Sequence, residues 1–142
     1  MKQPNRRSDC PISFALDLFG DRWTLLVIRD LMFKGKKNYG EFLQSEERIA
    51  TNILSDRLSL LEGAGLVTRE KDPAKASKII YRLTERGIDL VPVMVEIIKW
   101  SARHDPATAA EMGFVQQANE AREELVASIR RSLLPPPTAE AG

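Results

Sequence analysis

The chain holds one cysteine and one histidine in 142 residues. A single cysteine excludes an intramolecular disulfide and any cysteine-built zinc or iron–sulfur site, and a single histidine excludes the two-histidine metal motifs. Aromatic residues make up only 6% of the chain. No run approaches the ~18 apolar residues needed to span a bilayer. The longest mostly apolar stretch, 90–98, is interrupted by Pro92 and Glu96. The basic opening Met1-Lys-Gln-Pro-Asn-Arg-Arg leads into no apolar segment with a small-residue cleavage site, so no secretory signal is expected and a cytoplasmic location is. There is no glycine-rich phosphate loop and no Ser/His/Asp set. The sequence therefore predicts neither an enzyme nor a bound cofactor or metal.

What is present suits one globular domain with an extension: 43% hydrophobic and 29% charged residues. Lysine and arginine total 21 against 20 acidic residues, a formal net charge of +1. That balance predicts no strong nonspecific pull toward nucleic acid, but its distribution is uneven. From 34 to 86 there are 11 basic and 8 acidic residues, and 6 basic against 3 acidic fall between 66 and 86. Beyond Val91 the count is 5 basic to 7 acidic. One part of the molecule can meet an anionic partner while the other stays away from it.

Residues 1–9 are polar and read as a loose arm. Ile12, Ala15, Leu16 and Phe19 follow helical spacing and predict a helix over 12–19, with Pro11 suited to its start and Gly20 to its end. Asp21 is a candidate N-cap for a second helix over 22–33. Asn38 and Glu41 form a capping-box pair ahead of a short helix over 39–44. A fourth helix is expected over 50–63, with Ile53, Leu54, Leu58 and Leu61 inward. The period then turns strand-like. Residues 66–71 and 78–83 read as a hairpin with 72–77 as its turn. Thr84 caps a long helix over 85–103, which Pro92 should kink or break. Thr108 and Glu111 suggest a capping box for a last helix reaching 134, with Met112, Val115, Ala118, Leu125 and Ile129 on or near one stripe. Residues 135–142 read as a disordered tail.

Two helices joined by a tight turn and followed by a basic hairpin make a winged helix-turn-helix, a mainly α fold with a small β wing. Such proteins lay the second helix of the pair in the DNA major groove. Here that helix is 50–63. Its outward face carries Thr51, Asn52, Ser55, Asp56 and Ser59, short side chains able to reach base edges or phosphates. Arg57 either contacts phosphate or ties the helix to a neighbour. Lys36 and Lys37, just ahead of the third helix, are candidate phosphate contacts. Arg69, Lys71, Lys75 and Lys78 decorate the wing, with Lys75 and Lys78 the candidate DNA contacts there. The rival reading is a winged-helix protein-interaction module that does not read DNA, for which the near-neutral net charge leaves room.

The stretch from Cys10-Pro-Ile through Leu-Phe-Gly-Asp-Arg-Trp-Thr-Leu-Leu-Val-Ile-Arg-Asp-Leu-Met-Phe resembles the opening of the HxlR family of bacterial transcription regulators. Tyr39-Gly-Glu-Phe, Ile49-Ala-Thr-Asn-Ile-Leu-Ser-Asp-Arg-Leu-Ser-Leu-Leu-Glu, Gly65-Leu-Val and Tyr81-Arg-Leu-Thr-Glu-Arg-Gly continue the match, which runs over about 10–103. The resemblance implies a homodimer on double-stranded DNA, with a palindromic operator whose half-sites lie ~34 Å apart. It implies that the first helix and the helix after the wing build the dimer, making Leu16, Phe19, Val95 and Trp100 candidates for interface or core. It also implies a regulator, of repressor type, answering a thiol switch or a small-molecule effector. Ala50 departs from the serine frequent at that place in the family, which weakens the cap of the reading helix by ~1 kcal/mol. The segment 104–134 extends past the usual family core; packing across the dimer is the first expectation for its apolar stripe, and a ligand-lined groove the second.

Cys10 stands where the family commonly has its Cys-Pro pair, and some relatives use such a cysteine to sense electrophiles or oxidants. The chemistry needs a thiolate, favoured by the adjoining helix start and by Arg6 and Arg7, and opposed by Asp9. The other reading of Cys10 is a small apolar residue buried at an interface.

Overall fold

The computed structural model describes residues 6–134, so the tail expected at 135–142 and the first part of the arm lie outside the described residues. The chain divides into two compact units, Met1–Gly87 and Ile88–Gly142.

The first unit opens with α1 (Pro11–Phe19), begun by proline and followed by Gly20, whose N–H donates to the Leu16 carbonyl at 2.8 Å. Next, α2 spans Thr24–Phe33. The Asp21 carboxylate accepts from the backbone N–H groups of Trp23 (2.9 Å) and Thr24 (3.0 Å) and from the Thr24 hydroxyl at 2.5 Å. Asp21 thus gathers the N–H groups ahead of the helix but is not its N-cap, a place that falls to Trp23, because the helical ladder starts later than residue 22. Its first carbonyl acceptor is Trp23, which receives the N–H groups of Leu26 and Val27. The short α3 (Tyr39–Leu43) has the complete capping box: Glu41 N–H donates to Asn38 Oδ1 at 3.0 Å, and Asn38 N–H to Glu41 Oε1 at 3.2 Å. Then α4 runs Thr51–Gly63, with Ala50 at its N-cap offering no side-chain bond.

Helical spacing explains the core. Val27, Ile28 and Leu31 of α2, Phe42 of α3, and Leu54, Leu58 and Leu61 of α4 are all buried. Each such side chain stabilises the fold by roughly 1.5–3 kcal/mol relative to exposure. Ile53, placed inward by its spacing, is only half-buried.

The wing is a two-stranded antiparallel sheet, β1 (Val67–Asp72) and β2 (Lys75–Leu83), with Val67 opposite Leu83 and Lys71 opposite Ile79. Only Pro73 and Ala74 separate the strands, so residues 75–77, expected in the turn, belong to β2. The register shifts between Lys71 and Asp72, where Asp72 pairs with Lys75. This bulge takes up the extra residues of the longer strand. The base of the wing is fixed to the helices by Tyr81 N–H donating to the Lys37 carbonyl at 2.7 Å, and by the Phe42 and Tyr81 rings with centroids 6.2 Å apart.

The long helix expected over 85–103 is broken. Its first turn is α5 (Glu85–Ile88), where the Thr84 hydroxyl accepts from Gly87 N–H at 3.1 Å. A Cβ on Gly87 would lie 2.3 Å from the Leu66 carbonyl oxygen, so only glycine fits that approach. The helix resumes as α6 (Val91–His104) with Pro92 in its first turn. Proline has no N–H to offer and its ring excludes the carbonyl four residues back, that of Ile88. In the second unit the Ile88 carbonyl instead accepts from Arg130 Nη1 at 3.4 Å, and the same nitrogen donates to Asp89 at 2.8 Å.

The last expected helix is also two, α7 (Met112–Glu120) and α8 (Arg122–Leu133), parted at Ala121 with φ −142° and ψ 52°. The Thr108–Glu111 capping box is absent. The Thr108 hydroxyl donates to the Asp105 carbonyl, and Glu111 itself is the N-cap, accepting from Gly113 N–H at 3.1 Å. Ala118 and Leu125 are buried, whereas Met112 is 76% exposed rather than on the inner stripe. Arg122 Nε bonds Glu96 at 2.6 Å and so ties α8 to α6. No described helix is long and apolar enough to cross a membrane.

Candidate nucleic-acid interface

With Leu54, Leu58 and Leu61 turned inward, α4 turns Thr51, Asn52, Ser55, Asp56 and Ser59 to solvent. The Tyr39 hydroxyl donates to the Thr51 carbonyl at 2.5 Å, a clamp between α3 and the first turn of α4 that sequence reasoning missed. Because Ala50 supplies no cap, the first N–H groups of α4 have no side-chain acceptor among the described residues. A helix start in this condition favours an anion, by its dipole and by its unpaired donors together.

The turn between α3 and α4 is held by a network. Arg29 donates to Glu47 through Nη1 at 2.7 Å and Nη2 at 2.9 Å, and to Asp30 through Nε at 3.0 Å and Nη2 at 2.8 Å. Ser45 Oγ donates to the buried Asp30 carboxylate at 2.5 Å, and Lys36 Nζ donates to Ser45 Oγ at 2.7 Å. The Arg29 guanidinium holds the Glu47 carboxyl down at about 2, against partial desolvation. Glu47 in turn raises the Arg29 pKa.

The eight candidate contacts are therefore not equivalent. Thr51, Asn52 and Ser55 share the exposed face of α4. Lys37 is exposed, but Lys36 is half-buried and points to Ser45 and Asp30. Arg57 takes the tying arrangement: it pairs with Asp21 at 3.2 Å and with Asp56. Burial works against ionising Asp21, but the Thr24 hydroxyl, two backbone N–H groups and Arg57 hold its carboxyl below the ordinary range. Lys75 and Lys78 are exposed on β2, as are Arg69 and Lys71 on β1, while Arg82 is paired with Glu70 at 3.0 Å. The wing thus offers four lysines and arginines without a carboxylate partner among the described residues of the first unit.

Cys10 is exposed at the N-cap of α1. The arginines expected to favour its thiolate are both committed elsewhere: Arg6 lies 3.7 Å from Asp9 and over the Phe14 ring, and Arg7 bonds Asp17 at 2.8 Å. Of the interface candidates, Leu16 is 50% exposed, Phe19 half-buried and Trp100 67% exposed. Val95 is fully buried within the single chain, so it is a core residue and has no surface left for a partner. Trp100, stacked on His104 with centroids 4.9 Å apart, borders a groove of about 780 Å³ inside the second unit, together with Arg103, Met112 and Val115. No group of three His, Cys, Asp or Glu side chains is placed to hold a metal ion among the described residues.

Comparison with known proteins agrees with this geometry. The model of the HxlR-like helix-turn-helix matches residues 18–109, which leaves α7 and α8 outside it. A Synechocystis HTH-type transcriptional regulator, sll1512, is 36% identical over 90 residues, covering 63% of this chain and 66% of its own length. The Bacillus subtilis HTH-type regulator YvaP is 33% identical over 98 residues, covering 68% and 90%. Among solved structures, the reduced form of the B. subtilis transcriptional regulator YodB superposes with a TM-score of 0.58 at 34% identity, covering 71% of this chain and all of that one. The redox regulator HypR in its oxidised form gives 0.59 at 33% identity, covering 66% and 96%. The matched proteins are transcriptional regulators, not enzymes, and their shared winged helix-turn-helix spans the whole candidate interface. This chain belongs to the HxlR family of DNA-binding helix-turn-helix transcriptional regulators.

Proposed function

We propose that the protein acts in the cytoplasm as a homodimeric repressor on a palindromic operator, with α4 as the reading helix. The observation that carries this reading is the outer face of α4. Thr51, Asn52 and Ser55 stand exposed together on a helix whose opposite side is locked by three buried leucines. Asn52 pairs with an adenine edge, Thr51 and Ser55 reach bases or phosphates, Lys37 touches the backbone, and Lys75 and Lys78 of the wing add salt-dependent affinity. Lys36 and Arg57 act from behind, positioning the turn and α4 through their carboxylate partners. Dimer contacts come from exposed Leu16 with half-buried Phe19 in the first unit and, separately, from exposed Trp100 in the second.

Control falls to the exposed thiol of Cys10. Solved relatives support this assignment: one is a redox regulator captured oxidised, and another is recorded both quinone-bound and diamide-treated. The groove beside Trp100 favours a second reading, a small-molecule effector held in the second unit, because its volume lies in the range of ligand pockets. A gel-shift titration of reduced protein on fragments of its own upstream region, beside unrelated DNA at the same salt, tests the main reading. Preferential binding of one upstream fragment is expected. Equal, salt-sensitive binding to all DNA, or none at low salt, overturns it in favour of the protein-interaction module.

A further inference from the structure

We propose that Arg48 is a phosphate-gripping residue of the helix-turn-helix, held in a strained turn so that its guanidinium meets the DNA backbone beside the start of α4. The inference rests on the reading of α4 as the DNA-facing helix. Arg48 has φ +58°, and the other described residues with positive φ are Gly35 and Gly65. Glycine adopts this conformation freely, whereas a residue with a Cβ is strained there.

The surroundings force the conformation from both sides. Arg48 N–H donates to the Ser45 carbonyl at 3.0 Å, and Ser45 is itself bonded to Asp30 and Lys36. Glu47, the residue before, is gripped by Arg29, and Ile49, the residue after, is buried. A backbone pinned at three neighbouring residues leaves the Arg48 side chain exposed. Strain of this kind persists only where the structure over-determines it, and it gathers at binding sites.

Charge sets Arg48 apart from its neighbours. Arg29, Lys36 and Arg57 each face a carboxylate. The Arg48 guanidinium meets none among the described residues. It stands two residues ahead of α4, whose first N–H groups have no side-chain cap and whose Thr51 and Asn52 are exposed. A phosphate drawn to that helix start lies within the neighbourhood of a planar, permanently charged, multi-donor group suited to phosphate oxygens.

The test compares the full-length protein with Arg48→Gly, Arg48→Asn and Arg48→Lys in gel-shift titrations over a salt series. The probes are fragments of the protein's own upstream region and an unrelated duplex. Glycine and asparagine both accept positive φ, so the thermal midpoints of these variants stay at or above wild type. Both should lose several-fold to about tenfold affinity on every DNA, with the slope of log K against log salt reduced by about 0.9 per lost contact. Arg48→Lys should keep the slope. Unchanged affinity and slope in the glycine and asparagine variants overturn the proposal, as does a loss confined to one DNA sequence, which marks a base contact. Wild type that fails to bind any of these DNAs overturns the reading of α4 itself and the Arg48 proposal with it. Wild type that binds while all variants bind equally overturns Arg48 alone.

Discussion

Arg29 and Glu47 meet end to end, Nη1 on Oε2 at 2.7 Å and Nη2 on Oε1 at 2.9 Å, and this fork joins α2 to the turn that leads into α4. The same arginine reaches the buried Asp30, which accepts from Ser45 at the other end of that turn. The entry of α4 is thus fixed to the core by side chains that bond one another.

The fork makes stability depend on pH. The Arg29 hydrogen bonds hold Glu47 at about 2 in the folded chain, against an ordinary 4.5. A depressed carboxyl contributes stability above its unfolded value, and the contribution drains away as pH falls from 4.5 toward 2. Since the Glu47 side chain remains 36% exposed, the contribution is discounted to ~1 kcal/mol. Urea unfolding of Glu47→Gln should therefore show a deficit of about that size at neutral pH that closes by the acid end of the window. A deficit independent of pH contradicts the assignment.

Much of this was legible in the sequence, and the failures have physical causes. Asn38 and Glu41 announce α3 because a capping box is a local device that needs nothing from the rest of the chain. The spacing of Leu54, Leu58 and Leu61 announces α4 and its free face in one step. Spacing carries no record of a break such as that at Ala121, where apolar residues continue on both sides. The outer half of the wing buries little, so residues 75–77 lack the alternation that marks a strand. Charge in a sequence has no direction: Lys36 and Lys37 are adjacent, yet one turns inward to Ser45 and the other faces solvent. Tyr39 and Arg48 could not be singled out, because a bond to a distant carbonyl and a positive φ exist only once the turn is closed.

The uncapped start of α4 predicts a gain of stability. Ala50 already has the extended backbone of an N-cap, φ −71° and ψ 150°. A serine there supplies the missing acceptor without moving the chain. Ala50→Ser should stabilise the protein by ~1 kcal/mol in urea unfolding. No gain would mean that water or another group already satisfies those donors.

Exposed Cys10 predicts a reversible response to mild oxidation. Diamide should change the DNA affinity of wild type, dithiothreitol should restore it, and Cys10→Ser should bind as the reduced protein does under both conditions. A response that persists in Cys10→Ser excludes the thiol switch, since the chain holds no other cysteine. Indifference of the wild type directs attention to the groove beside Trp100.

Whether the outer face of α4 reads bases is decided by Asn52→Ala. Asn52 is exposed and its side chain makes no hydrogen bond among the described residues, so its removal should leave unfolding within ~0.5 kcal/mol of wild type. Wild type and variant are titrated side by side on the preferred upstream fragment and on unrelated DNA at one salt concentration. Asn52→Ala should lose ~1–3 kcal/mol of preference for the upstream fragment while binding unrelated DNA as wild type does. A folded variant with its preference intact contradicts base reading by α4.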